Sequence, residues 1–386
     1  MTESLAPSLA LLPAGLRDLL PSEAETEAAS VAAIMDTFTA HGYQRVKPPL
    51  LEFEDGLLAG TGSAMGEQTF RLMDPDSHRM MGLRADMTPQ VARIATTRLG
   101  HWPRPLRVSY AGQCLRVQSA GLAAERQVAQ AGIELIGHDS PEADAEIVRV
   151  GAEALAAVGL TNISFDLTLP PFVPTLLEGA GLPVPARAGL IRALDRKDAV
   201  AVAERGGALA GTLTELLLAA GPADRALEAL LAATLPPGAR ALAERLAVTV
   251  ATIHAHMPGL RLTVDPVEFR GLRYHTGVSF SVFAPGHPEE LARGGRYLCG
   301  LAEPGEPATG LTLYPDAVLR AAPPKAAKPR VFLAAEADPD TGAELRAAGY
   351  ATVAGLDPVA DPAAEARRLG CAFYFGATGL VALSTE

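Results

Sequence analysis

The sequence predicts an α+β fold: an antiparallel sheet flanked by helices, a mostly helical insertion at about 170–258, and a small C-terminal α/β domain. Three observations carry this expectation. Apolar and polar side chains alternate along Leu106, Val108 and Tyr110 and along Ile163, Phe165, Leu167 and Leu169, the period-2 signature of a strand. Segments with helical three- and four-residue spacing punctuate these stretches, which mixes the two element types. Residues 321–329, AAPPKAAKP, form a proline-rich connector of the kind that separates domains. The boundaries read as a core over 1–325 and a C-terminal domain over 326–386.

From the N-terminus, Ser22 and Glu25 form a capping-box pattern, and Ala28, Val31, Met35 and Phe38 recur on one helical face. Residues 43–46 can extend, but Pro48 and Pro49 remove two backbone donors and end that strand or hold it at an edge. Residues 70–73 and 79–83 flank the turn formers Asp74, Pro75, Asp76 and Ser77, which reads as a hairpin. Thr88 precedes Pro89, a residue suited to the first turn of a helix. A returning strand at 126–136 sends Ala129, Ala131, Ile133 and Leu135 one way and Val128, Gln130, Gly132 and Glu134 the other. Ser140 and Pro141 open a further helix, and extended patterns return at 260–264 and 278–282. Beyond the connector, strand and helix alternate: 330–335, 339–348, 350–354, 361–369 and 371–375.

Composition narrows the function. The 386 residues are enough for two or three domains, and 48% apolar with 20% charged residues is an ordinary globular balance. A net charge of −11 disfavours partners bound by neutralising many phosphates, so no nucleic acid is expected. Cys114, Cys299 and Cys371 are widely spaced and make no CxxC pair, which fits a reducing compartment. No apolar run reaches membrane-spanning length, and nothing resembles a secretion signal, so the expected location is cytoplasmic, with no membrane partner. No cofactor and no metal are expected: His254 and His256 lack a third ligand and read as solvated. GTGSAMG at 60–66 lacks the spacing of a dinucleotide loop and reads as a flexible pocket loop, and Cys299 reads as packing.

Four stretches occur in a telling order: LRADMTPQ at 83–90, the strand, loop and strand at 106–136, FRGLRYHTG at 269–277, and GGRY at 294–297. Together with GYQRVKPPLLE at 42–52, they resemble the catalytic core of class II aminoacyl-tRNA synthetases, specifically histidyl-tRNA synthetase, over about residues 10–320. By that resemblance Asp86 and Thr88 hold the α-amino group of histidine, Arg116 stands near its carboxylate, Gln130 and Glu134 read its ring, and Arg270, Tyr274 and Tyr297 complete the pocket. The chemistry agrees, because a zwitterion's ammonium wants an acid and its carboxylate an arginine. The plainer alternative is that Asp86 and Thr88 only cap the helix at Pro89 and that Glu134 is a solvated strand residue.

Departures from the family pattern cluster where ATP is handled. Gln118 stands where the family places a glutamate, Val128 where it supplies an aromatic that stacks on adenine, and Asp316 and Ala317 where an acid and an arginine are expected, with Arg320 nearly a helical turn away. Losing one preorganised charge-stabilising group costs about 3 to 4 kcal/mol and losing a stacking aromatic roughly 1 to 3 more, which argues against adenylate synthesis. In the histidine motif Arg273 replaces an acid and His275 an aromatic. The C-terminal domain carries five basic against eight acidic side chains, so it resembles a shortened remnant of an anticodon-binding domain, with a structural or subunit-contact role.

This combination resembles a family of synthetase paralogues, the regulatory subunits of ATP phosphoribosyltransferase. The resemblance implies a non-catalytic chain that assembles with a short-form catalytic subunit, which makes phosphoribosyl-ATP in the first step of histidine biosynthesis, with L-histidine as feedback inhibitor. It further implies a homodimer through about residues 22–52 within a larger hetero-oligomer. Other readings stay open at this point: an active histidyl-tRNA synthetase-like amino-acid-activating enzyme, a stand-alone ligase, a module for another partner, or a regulatory histidine held at the contact with the catalytic subunit.

Overall fold

The structure is a computed structural model, and it describes residues 11–119, 125–178, 182–268, 274–300, 305–324 and 327–384. The chain divides into two compact units, Met1–Pro323 and Pro324–Glu386.

The first unit opens with α1 (Glu23–Ala40), which buries Ser30, Ile34, Met35 and Phe38 along one face. The capping box expected at Ser22 is not formed. Ser22 has φ 79°, its side chain caps nothing, and its carbonyl accepts from the Thr26 amide at 3.0 Å instead. Then come β1 (Gln44–Arg45), β2 (Leu51–Phe53), α2 (Glu54–Leu57), β3 (Arg71–Met73) and β4 (Met80–Leu83), the last two forming the expected hairpin in a three-stranded sheet of order β2-β4-β3. The expected flexible loop at 60–66 is instead part of a 3₁₀ run, Gly60–Gln68. Its backbone runs so close to the Leu57 carbonyl that a side chain on Gly62 would collide with it.

Next are α3 (Thr88–Thr97), β5 (Leu106–Leu115), β6 (Gln127–Ile136), α4 (Pro141–Ala157) and β7 (Ser164–Thr168). Ser140 caps α4 by accepting from the Ala143 amide at 3.3 Å. A helical stretch follows: α5 (Phe172–Glu178), α6 (Val184–Asp195), α7 (Ala199–Arg205), α8 (Ala210–Ala219), the two-residue β8 (Gly221–Pro222), α9 (Ala223–Ala232) and α10 (Pro237–His256). The chain returns to the sheet through β9 (Arg261–Asp265), β10 (His275–Ala284), β11 (His287–Cys299) and β12 (Glu306–Leu313), and closes with α11 (Pro315–Ala321).

These strands form one nine-stranded sheet of order β1-β5-β6-β12-β11-β10-β7-β9-β8. Its centre is antiparallel, while β1 joins β5 and β9 joins β7 in parallel, so the sheet is mixed at its flanks. Ile34 and Phe38 of α1, Ile147 and Leu155 of α4, Leu246 and Ile253 of α10, and Ala131, Ile133, Leu311 and Leu313 of the strands belong to one apolar cluster. Strand alternation therefore directs the other parity of β5, β6, β11 and β12 to the opposite face.

In the second unit β13 (Arg330–Leu333), α12 (Pro339–Ala347), β14 (Ala351–Ala354), α13 (Pro362–Arg368), β15 (Phe373–Gly376) and β16 (Gly379–Ala382) build a four-stranded sheet of order β14-β13-β15-β16. Asp338 and Asp361 cap its two helices. The antiparallel β16 extends the strand count beyond the sequence reading, because its four residues carry no turn signal stronger than Gly379.

All three cysteines are free and buried, and burial pushes the Cys299 thiol up to about 12, which suits packing rather than reaction. Among the described residues no cluster of three or more metal-ligating side chains occurs, and no helix is long and apolar enough to cross a membrane.

Candidate functional site

The polar face of the sheet centres on Glu134 of β6. In register, Glu134 stands opposite Gly310 of β12, which stands opposite Gly295 of β11. Two small residues in a row leave room above them, and that room is occupied: a Cβ on Gly310 would collide with the Glu134 carboxylate, and one on Gly132 with the Tyr110 ring.

Three hydroxyls converge on Glu134, which is 1% exposed. Thr88 donates to Oε1 at 3.2 Å, Tyr110 donates to the same oxygen at 3.3 Å, and Tyr297 donates to Oε2 at 3.0 Å. Tyr110 also shares a hydrogen bond of 2.8 Å with Thr312. Burial drives the Glu134 carboxyl up to about 8 and the nearby Asp86 charge adds to it, while the three hydroxyls pull the other way. The group thus changes protonation close to neutral pH.

A second knot joins Asp86 and Gln130. Gln130 Nε2 donates to Asp86 Oδ2 at 2.8 Å, and Gln130 Oε1 accepts from the Met87 amide at 2.9 Å and from the Cys114 thiol at 3.2 Å. Asp86 Oδ1 accepts from the Thr88 amide at 2.8 Å just ahead of α3, whose N-cap residue is Met87 and carries no side-chain cap. Thr88 is the first residue of α3, and its hydroxyl turns to Tyr110 and Glu134 instead of capping the helix. Among the described residues each Asp86 oxygen accepts one of these hydrogen bonds, and a carboxylate oxygen has a lone pair left for a second. Glu134 is not the solvated strand residue of the plainer alternative.

Arg116, beyond the end of β5, donates Nε to the Ala85 carbonyl at 3.3 Å and pairs with no carboxylate among the described residues. Tyr274 is 42% exposed overall, yet burial of its hydroxyl end and the Asp86 charge both raise its phenol above the ordinary value. Arg270 lies outside the described residues. The geometry thus brings Asp86, Thr88, Gln130, Glu134 and Tyr297 into one hydrogen-bonded group, with Arg116 bonded to the Ala85 carbonyl and Tyr274 within reach of the Asp86 charge.

The sequence reading missed Tyr110, Thr312, Tyr314 and Arg293. Tyr110 shares strand parity with Arg116, and Thr312 with Gly310, so the period-2 rule that located Gln130 and Glu134 reaches them too. Arg293 is held by Glu290 through bonds of 3.0 Å and 2.8 Å, and its charge opposes the effect of burial on the Tyr314 phenol, which still rises to about 12.

In the neighbouring region, where the departures cluster, the side chains bond and pack among themselves. Val128 packs against the apolar cluster containing Met87, Val91 and Cys114. Asp316 Oδ2 accepts from the Ala129 amide at 2.8 Å, and Arg320 is clasped by Glu289 at 2.6 Å and Glu125 at 3.2 Å. Glu125 in turn pairs with Arg17 at 3.2 Å, and Arg17 with Glu23 at 2.7 Å. The result is a chain of alternating charges from α1 to α11.

A mixed sheet with a buried carboxylate knot on one face and helices on the other defines a protein of the histidyl-tRNA synthetase type. The family model described as histidyl-tRNA synthetase matches residues 15–318. The chain also shares 55% identity over 368 residues, 95% of its length and 96% of the relative's, with the ATP phosphoribosyltransferase regulatory subunit of Gluconobacter oxydans. The match to the protein of the same name in Paramagnetospirillum magneticum is 55% over 382 residues, 99% of both chains. The chain belongs to the ATP phosphoribosyltransferase regulatory subunit family. Solved structures give the same fold: an ATP phosphoribosyltransferase regulatory subunit/histidyl-tRNA synthetase from Bacillus halodurans has TM-score 0.79 at 23% identity, covering 94% of this chain and 97% of that one. Histidyl-tRNA synthetase from Nostoc sp. PCC 7120 has TM-score 0.78 at 19% identity, covering 95% and 92%.

Proposed function

We propose that this chain is the non-catalytic regulatory subunit of an ATP phosphoribosyltransferase, and that the pocket around Glu134 and Asp86 binds L-histidine as the feedback signal. The observation that carries the proposal is the contrast between two adjoining regions. The amino-acid half of the site is assembled, with Asp86, Thr88, Gln130, Glu134 and Tyr297 mutually bonded, whereas in the nucleotide half Arg320 is taken up by Glu289 and Glu125. A chain that reads an amino acid without activating it is a sensor. Inhibition needs only that histidine bind one state of the assembly better than another.

In this reading the partner is a short-form catalytic subunit, which is incomplete alone, and the present chain is a homodimer within a larger hetero-oligomer in the cytoplasm. Asp86 and Thr88 meet the ammonium, Arg116 the carboxylate, Gln130 and Glu134 the ring, and by resemblance Arg270, Tyr274 and Tyr297 belong to the remainder of the pocket.

The test is phosphoribosyl-ATP formation by the cognate short catalytic subunit, with and without this chain, across a histidine titration. Activity that rises on addition and falls with histidine is the expected result. No effect on the partner, together with histidine-dependent pyrophosphate exchange into ATP by this chain alone, overturns the reading in favour of a synthetase. Histidine binding that persists undiminished in an Asp86→Asn, Glu134→Gln double variant overturns the assignment of the pocket.

A further inference from the structure

One apolar sheet face in the first unit joins no apolar cluster among the described residues. In the small sheet, β2 pairs Leu51 with Leu83 and Phe53 with Met81 of β4, β3 pairs Leu72 with the same Met81, and the Leu83 amide donates to the Phe70 carbonyl. Residues opposite one another, and those two apart, share a face, so these six apolar side chains stand together. Leu72 is 39% exposed and the other five are half-buried. The opposite face is taken: a Cβ on Gly82 would meet Leu57 of α2, and Glu52 accepts from Gln90 of α3 at 2.8 Å.

The chemistry of the face indicates what covers it. Phenylalanine, methionine and arginine are the residues enriched at the centres of protein interfaces. Here arginines lie over both rings, Arg79 at 3.9 Å from the Phe53 centroid and Arg126 at 5.0 Å from that of Phe70. The rim carries both signs: Arg79 pairs at 3.1 Å with Asp55, whose side chain is 88% exposed, and Arg71 pairs with Glu54 at 2.8 Å. A patch that meets its own copy across a two-fold axis must be self-complementary, apolar against apolar and arginine against acid. This one meets that requirement.

The same sheet is built into the pocket. Leu83 precedes Asp86 by three residues, and Arg84 between them donates to the Gln113 carbonyl at 2.8 Å and the Pro48 carbonyl at 3.1 Å. On the other side Thr69, next to Phe70, forms an antiparallel bridge with Arg116. We propose that a second copy of this chain seats on the β2-β4-β3 face and that the contact holds the segments carrying Asp86 and Arg116, so that only the associated chain binds histidine tightly. The inference rests on the pocket reading above and adds that association regulates the sensor.

The test uses the full-length chain, with sedimentation to give the mass and calorimetric titration with L-histidine. The parent is expected to sediment as a dimer at micromolar concentration, and saturating histidine should hold it dimeric to greater dilution, because linkage is reciprocal. That measurement needs no substitution. Leu72→Glu and Met81→Glu each place a charge in the contact and should give monomers that keep a cooperative urea transition and bind histidine at least about tenfold more weakly. A purely local disturbance of the pocket would weaken binding and leave the dimer intact. A monomeric parent, a dimer indifferent to histidine, a folded variant that stays dimeric, or a monomeric variant with the parent's affinity overturns the proposal. A dimeric variant that no longer stimulates the catalytic subunit assigns the face to that partner instead. Failure of the parent to bind histidine overturns the pocket reading and the coupling together, while the masses still decide where the second copy sits.

Discussion

Tyr297 on β11 donates its hydroxyl to Glu134 Oε2 on β6 at 3.0 Å, reaching across the whole of β12. The reach exists because the strand between them presents Gly310 at that level. Burial and the Glu134 charge raise the Tyr297 phenol well above its ordinary value, so it stays a donor at every pH the protein meets. One hydrogen bond thereby couples residues from two separate motifs and closes the floor of the pocket.

Tyr297→Phe removes that donor and leaves a buried carboxyl oxygen short of a partner. The expected cost is about 1 to 3 kcal/mol in urea unfolding at neutral pH. A change below about 0.5 kcal/mol would mean that Glu134 is satisfied by Thr88 and Tyr110 alone.

The raised Glu134 carboxyl sets a pH dependence with a definite sign. The folded chain holds a proton there up to about 8, whereas an ordinary carboxyl releases it near 4.5. Between those values the native state binds more protons than the unfolded one, so this group's contribution to stability is full below 4.5 and is lost as pH rises toward 8. Glu134→Gln should flatten the decline in unfolding free energy over that window, with the gap between variant and parent widening steadily with pH. Parallel curves would show that the carboxyl titrates at its ordinary value.

Asp144 and Arg296 form a buried ion pair at 2.7 Å, with Thr309 donating to the acid at 2.6 Å and the His138 and Ser140 carbonyls accepting from the guanidinium. Arg296→Met strands the carboxylate in the interior and should cost about 3 to 5 kcal/mol, read as a lowered urea midpoint. Replacing both partners with apolar residues should recover much of that loss, which distinguishes a stranded charge from lost packing.

Arg320 gives the contrasting case. Its partners are half-exposed, so Arg320→Ala should destabilise by no more than about 1 kcal/mol, and less at 1 M salt. A larger cost would mark the charge chain from Arg17 to Glu289 as a cooperative unit.

Much of the core was legible because its strands alternate side-chain types along the sequence even where both faces are buried. Leu106 to Tyr110 and Ile163 to Leu169 alternate cleanly, and Ser140 with Pro141 marks a helix start that α4 uses. Strand β11 was not legible by the same rule, since Gly294 and Gly295 interrupt the alternation and Arg296 points into the interior to meet Asp144. Ser22 misled because a capping box is a statement about side chains, while a positive φ is a statement about the preceding turn. At the site, Gln130 and Glu134 follow from strand parity alone. What no local pattern reveals is the company they keep: the bond from Gln130 to Asp86 and the clasp of Glu289 on Arg320 join segments dozens of residues apart.

The glycine beneath Glu134 has a further implication. Because any side chain at Gly310 displaces the carboxylate, positions 134 and 310 form an ordered pair of substitutions. Gly310→Ala is disruptive while the glutamate is present and becomes tolerable once Glu134→Ala has emptied the space, so the two changes are strongly non-additive in a double-mutant cycle. A chain without the Glu134 carboxylate could fill the strand at 310, whereas one that filled the strand first would displace the carboxylate at a single stroke. The bare backbone at 310 therefore fixes the order in which the two positions can change.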